Sequence, residues 1–445
     1  MKAAAPLRTR WLRALLLVAV LVAGGLLRPS WARPPVAVNV LMPAPFADAT
    51  AATVESFNRS HPGLRIQVTR GPFETESVSD LAISSLLLGD SPYDLLLMDV
   101  TWTAKYAAAG WLLPLEDRLD DPLAGVVLGA REGNWIEGHL WRVPMVASLG
   151  LLYWRTDLME APPRTPEELV RLSRELQRQG RVRWGFVWQG RQYEGLICDF
   201  LEVLHGFGGD WGPQVGPGLG LDSPEATAAT AWLRRLVAEG ISPPAVANFA
   251  EPETLQAFAA GDAAFMRNWP YAWQELRRPD SAVAGRVGVT TMVAETGRSP
   301  AATQGSWGLS VLSGSRHPAE AVEVLRYLSG EESQRSLVRD WGNTPTLEAL
   351  FEDPALLAAS PTLPEQRRAL EHAVLRPITP AYAQLSDILQ RRLSGAITGE
   401  APAAAAMEAA ARGSRKMLRA SGAEKAAWPG KAAWPEKAAV PEGPR

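Results

Sequence analysis

The chain has one cysteine, five histidines and a net charge of only −3 over 445 residues. Each scarcity excludes something. A lone Cys198 cannot close an intramolecular disulfide, so no disulfide framework holds this fold. It lies in the run Leu196-Ile197-Cys198-Asp199-Phe200, which predicts a buried small hydrophobe. Five scattered histidines give no metal-ligand spacing, and no nucleophile elbow occurs, so neither a metal, a cofactor nor a catalytic residue is predicted. The balanced charge lacks the clustered Lys and Arg excess that a nucleic-acid surface needs. No apolar run reaches the roughly 20 residues that span a bilayer.

What is present points to a soluble protein of two domains: 47% hydrophobic, 21% charged, and long enough for two substantial cores. The 17 tryptophans exceed what a minimal core needs, so they serve either ligand stacking or plain packing. Lys2, Arg8, Arg10 and Arg13 precede an apolar stretch, Ala14 to Leu27, and then the small-residue site Ser30-Trp31-Ala32. That layout predicts a secretory signal peptide over 1–32 and a mature start near Arg33. With no cysteine near the cleavage point, the mature protein is expected free in the periplasm, without a lipid anchor.

Val36–Met42, Leu64–Val68 and Tyr93–Met98 read as buried strands, with helices over Ala49–Asn58 and Ser79–Leu88 between them. Such alternation predicts an α/β fold with parallel strands and helices on both faces. Ligands of such sheets bind beyond the carboxyl ends of strands, which draws attention to Pro43–Asp48 and Asp99–Trp102. Thr165-Pro166 and Ser223-Pro224 read as capped helix starts, and Pro318–Leu328 as a further helix. Gly216-Pro217-Gly218-Leu219-Gly220 is no phosphate loop, because no strand precedes it. The chain closes on three copies of a Lys-Ala-Ala-(Trp or Val)-Pro unit, too short and proline-broken to form a core, so 421–445 is expected to be a disordered tail.

Several segments resemble the trehalose/maltose-binding branch of the solute-binding proteins of ABC importers. They are Ser60-His61-Pro62-Gly63, Tyr93–Trp102, Ala109-Gly110-Trp111-Leu112, Gly150–Trp154, Gly185–Gly195, Ala264–Trp273 and Arg376-Pro377-Ile378-Thr379-Pro380. They stand in the family's order across nearly the whole mature chain. The resemblance implies a periplasmic-binding-protein type II fold: two α/β lobes joined by a hinge, closing on a sugar and then docking on a membrane permease. It places 33–146 and 301–343 in the N-terminal lobe and 147–300 and 344–420 in the C-terminal lobe. A monomer is expected.

A sugar needs ionised acceptors for its hydroxyls, cationic donors for its oxygens and flat aromatics for its C–H faces. The resemblance casts Asp99, Asp48 and Glu251 as acceptors, Trp269, Tyr271 and Trp307 as aromatic walls, Arg376 as the cation, and Tyr193 as a further cleft residue. The alternative readings are a helix cap for Asp48 and for Asp99, a helix-start charge for Glu251 and a surface ion pair for Arg376, with the sugar role favoured for Asp99. The chain departs from its relatives at Met145-Val146-Ala147-Ser148, where an aromatic pair and an acid or amide are usual; Ser148 is a short hydroxyl. A basic residue expected after Phe73 is replaced by Val78 and Ser79. The ligand range is therefore trehalose, maltose, sucrose or a smaller glucoside such as glucosylglycerol. Two rival readings are a glycosidase using Asp99 and Glu251 as acid and base, and a rigid lectin.

Overall fold

The computed structural model describes residues 34–121, 123–212 and 219–421. The expected signal peptide, the glycines at 216 and 218, and the repeats beyond Ser421 lie outside the described residues. The described chain opens with β1 (Val36–Met42), whose last three residues are fully buried. Helix α1 (Ala44–Ser60) follows at once, starting five residues before the expected Ala49. Pro43 and Pro45 frame its first turn, where a missing N–H costs nothing and a fixed φ favours the helix. This early start carries Asp48 inside the helix, so it is not the cap.

Strand β2 (Leu64–Arg70) and helix α2 (Thr75–Leu87) come next, the helix starting four residues before the expected Ser79. β3 (Leu95–Asp99) is buried throughout and leads through a single turn into α3 (Thr103–Ala108). β1 lies between β2 and β3 and runs parallel to both, as the alternation predicts. β4 (Val143–Leu149) then brings the chain to Gly150.

There the second lobe begins with β5 (Leu151–Arg155), followed by α4 (Pro166–Arg178), β6 (Trp184–Val187), α5 (Glu194–Gly206), α6 (Pro224–Ala238), α7 (Glu251–Ala259), β7 (Ala263–Asn268) and β8 (Val287–Thr290). Its sheet has the order β8-β5-β7-β6. The caps read from sequence are in place: Thr165 Oγ1 accepts from Glu168 N at 3.2 Å and Ser223 Oγ from Ala226 N at 3.0 Å.

The chain returns to the first sheet as β9 (Ala302–Val311), antiparallel to both β3 and β4. Helices α8 (Pro318–Ser329) and α9 (Glu331–Trp341) pack on that lobe, and β10 (Ala373–Val374) pairs with the start of β9. The first sheet thus reads β10-β9-β3-β1-β2, with β4 on the free side of β9. Finally α10 (Tyr382–Thr398) and α11 (Ala403–Ser421) pack on α6 in the second lobe.

Two expected lobe boundaries move. Ser148 and Leu149 pair with Gly305 and Gln304 in the first sheet, so the division falls at Gly150 rather than after 146. Residues 344–371, expected in the second lobe, bury Leu350, Phe351, Leu363 and Leu370 in a cluster that joins the first-lobe core to Tyr153 and Met266 of the second. They also reach the second lobe, where Arg277 Nη1 donates to Ala359 O at 2.9 Å. A glycine is required at 150: a Cβ there would lie 1.7 Å from Glu202 Oε1 and 2.3 Å from Arg267 Nη2.

Candidate functional site

Strand register collects the first half of the site. Directly opposite residues of an antiparallel pair share a face, as do residues two apart on one strand. Asp99 and Val146 both lie opposite Trp307, and Ser148 lies opposite Gly305. One face at the end of the first sheet therefore carries Asp99, Val146, Ser148, Gly305 and Trp307. Trp269 reaches this face from the second lobe: a Cβ on Gly305 would meet its ring carbons at 3.0 Å and Ser148 Cβ at 3.7 Å. The glycine is what lets the two lobes approach here.

Trp269 is half-buried and held on several sides. Its Nε1 donates to Glu251 Oε1 at 3.0 Å, its N–H to Asn268 Oδ1 at 2.8 Å, and its carbonyl accepts from Tyr153 Oη at 2.8 Å. The Arg267 guanidinium lies 4.0 Å from its ring centroid. Arg267 is itself buried in a charged network: Nη2 to Glu202 Oε1 at 2.5 Å, Nε to Asp199 Oδ1 at 2.8 Å, and Nη1 to Gln189 Oε1 at 3.2 Å. Glu202 also accepts from Thr303 N at 3.2 Å, tying this network to the first residues of β9.

Glu251 starts α7, as read from sequence, and is the hub of the second-lobe group. Besides Trp269 it takes a 2.8 Å hydrogen bond from Tyr193 Oη. Burial, with Glu251 beside it, pushes the phenols of Tyr193 and Tyr271 well above their ordinary range. Tyr271 Cα sits 3.5 Å from where a Cβ on Gly342, the left-handed cap of α9, would stand, so it too lies against the opposite lobe.

Asp99 both caps and binds charge. Its Oδ1 accepts from Thr101 N at 2.9 Å, and both its oxygens lie 2.9 Å from Arg376 Nη2. Arg376 is buried, not the surface cation of the alternative reading. Burial opposes its charge, but Asp99 and other anionic neighbours more than offset that, leaving the guanidinium firmly protonated. Trp307 is also more enclosed than a free wall: 9% exposed, 5.1 Å from Phe46 and 5.6 Å from Trp102 between ring centroids. Asp48 is exposed and ion-paired to Arg70 at 2.8 Å, an arrangement internal to the first lobe.

Sequence reasoning missed Glu194, Glu76 and Tyr382. Glu194 Oε1 accepts from Arg376 Nη1 at 2.8 Å and from Tyr382 Oη, and its Oε2 from Ser386 Oγ at 2.7 Å. Glu76, in the first turn of α2 where a basic residue was sought, accepts from Glu194 N at 3.1 Å across the lobes. A cavity of about 240 Å³ between the lobes is lined by Glu76, Trp102, Tyr106, Glu194, Tyr382 and Ser386 among others, and by none of the nine residues read from sequence. Glu194 directly follows Tyr193 at a helix start; that adjacency was the one available signal.

Two sheets, a chain that passes between them more than once, and carboxylates and aromatics gathered where the lobes face each other make up the candidate site. Residues 41–335 match the model of the bacterial extracellular solute-binding proteins. This chain belongs to that family. A Deinococcus radiodurans protein described as an ABC transporter-binding protein is 32% identical, over 76% of this chain and 82% of its own. A maltotriose-binding protein of Pyrococcus abyssi is 23% identical over 66% of this chain and 62% of its own. Maltose-bound T. maritima MalE3 superposes with a TM-score of 0.80 at 30% identity, covering 86% of this chain and all of that one. This chain is therefore a two-lobed solute-binding protein, of a family of binding receptors rather than enzymes. Among the described residues no helix is long and apolar enough to cross a membrane.

Proposed function

We propose that this solute-binding protein captures a small α-linked glucoside between its lobes in the periplasm and delivers it to a membrane ABC permease. The observation that carries the reading is the approach of Trp269, tied to Glu251 and through it to Tyr193, to Gly305 beside Ser148 on the first-lobe face that also carries Trp307. An aromatic platform beside the Glu251 carboxylate supplies a stacking face and a charged acceptor for a polyhydroxylated ring, whose hydrogen bonds to charged partners are worth roughly 1.5–3 kcal/mol each, while Asp99 and Arg376 hold each other. The relatives named for maltose and maltotriose put α-glucosides on the list of ligands to test.

Val146 and Ser148 stand on the face beside Trp269 and offer little to grip a second hexose. The ligand we propose is a glucoside whose second moiety is smaller than a hexose, such as glucosylglycerol, with trehalose, maltose and sucrose bound more weakly. Losing one charged hydrogen bond to a second ring costs on the order of 1–3 kcal/mol, roughly ten- to a hundredfold in affinity. Calorimetry with these four compounds tests it. Glucosylglycerol is expected to bind tightest. A preference for trehalose or maltose above tenfold overturns the argument from Ser148, and no heat with any of the four overturns the glucoside reading.

A further inference from the structure

Glu194 has geometry that no ligand contact requires. Tyr193 before it is fully extended, with φ −165° and ψ −175°, so the two side chains leave the backbone on opposite sides. Tyr193 turns to Glu251 in the aromatic group. Glu194 turns to Arg376, in the last crossing of the chain between the sheets, and to Tyr382 and Ser386 just beyond it.

Held in this way, Arg376 presents its other amino group to Asp99 at the end of β3 in the first lobe. The backbone N–H of Glu194 meanwhile donates to Glu76 of α2, also in the first lobe. One second-lobe residue thus engages the first lobe by two separate routes, through a guanidinium and through its own amide. Arg376 and Asp99 are each only 3% exposed, so their charges are largely withdrawn from water. Such pairs contribute little net stability but decide between arrangements, because breaking one leaves the other charge buried and unpaired.

We propose that Glu194 is a positioning residue that latches the two lobes, aiming Arg376 at Asp99 and anchoring Glu76, so that it sets the closed fraction of the receptor. The inference rests on the sugar-receptor reading. A ligand that needs the closed form binds with its intrinsic affinity scaled by the fraction closed. Loss of the latch therefore weakens every cleft ligand by the same factor and leaves their ranking unchanged. A residue that touched the sugar would instead penalise some ligands more than others.

The test is Glu194→Gln, which keeps the shape but removes the charge that holds Arg376 and turns one of the two accepting oxygens into an N–H donor. Affinity for each of the four compounds and the ligand-free radius from X-ray scattering are measured together. A uniform loss of about tenfold and a larger ligand-free radius are expected. The double variant Asp99→Asn, Glu194→Gln should be no weaker than the weaker single one, since both act through Arg376. Unchanged affinity and radius, or a loss confined to one ligand, overturn the latch. Should Glu194→Gln fail to fold, Tyr382→Phe with Ser386→Ala loosens Glu194 without changing any charge; the same uniform loss is expected, and none refutes the proposal. If the wild type binds none of the compounds, the glucoside reading falls, while the ligand-free radii still decide the latch.

Discussion

Trp269 carries two duties in one side chain. It offers a ring beside the first-lobe face and donates to Glu251, whose carboxylate also accepts from Tyr193. Trp269→Ala is expected to weaken every ligand the cleft accepts by about 2 kcal/mol, roughly thirtyfold, because stacking does not depend on the second moiety. Titration calorimetry across the panel checks it; a loss for one compound alone would place Trp269 elsewhere. Glu76 gives a pH prediction. Partial withdrawal from water in the wall of the interlobe cavity, together with the negative charges of Glu194 and Asp99, holds its carboxyl above the ordinary range, although one side of the residue stays exposed. A raised carboxyl stabilises the folded state fully below its unfolded value, and that contribution is lost as pH rises through the elevated one. Glu76→Gln should therefore raise Tm at neutral pH, with the difference from wild type shrinking as the solution becomes acid. Parallel melting curves at a series of pH values measure this; a constant offset would assign the effect to packing rather than titration.

At the scale of elements, the crossing between β4 and β5 is the most constrained point. Gly150 passes so close to Glu202 and Arg267 that any side chain must displace a buried ion pair. Gly150→Ala is expected to cost about 3 kcal/mol, the range for breaking a buried pair, and to lower Tm measurably. An unchanged melting curve would mean that the crossing shifts freely and is not where the lobes are joined rigidly. The glycine was legible in the sequence, but nothing there located the carboxylate above it. The early start of α1 is the opposite case. Pro43 and Pro45 announce it in the sequence, yet the apolar pattern alone suggested Ala49, and Asp48 was consequently taken for a residue of the loop.

For the whole molecule, closure is the expected consequence of ligand binding. Sugar should shrink the scattering radius and change tryptophan emission, since Trp269 and Trp307 come from different lobes. An unchanged radius at saturating ligand would favour a rigid lectin. Export is tested separately: the mature protein should begin near Arg33, and an intact mass retaining the first thirty residues would refute the signal peptide.

The sequence by itself determined the alternation of strand and helix, the capped starts at Thr165 and Ser223, the buried Cys198, and the family to which the chain belongs. These are local or patterned properties: periodicity, cap chemistry and short motifs need no knowledge of distant partners. It also named Trp269, Glu251 and Tyr193, which the fold brings into direct contact. Only the tertiary structure decided that Asp99 is gripped by Arg376, 277 positions away, and that Arg376 is in turn held by Glu194. It likewise decided that Trp307 is packed against Phe46 and Trp102, and that Asp48 faces Arg70. Which charges meet depends on how β9 and the last crossing bring two lobes together, and no spacing along the chain encodes that distance.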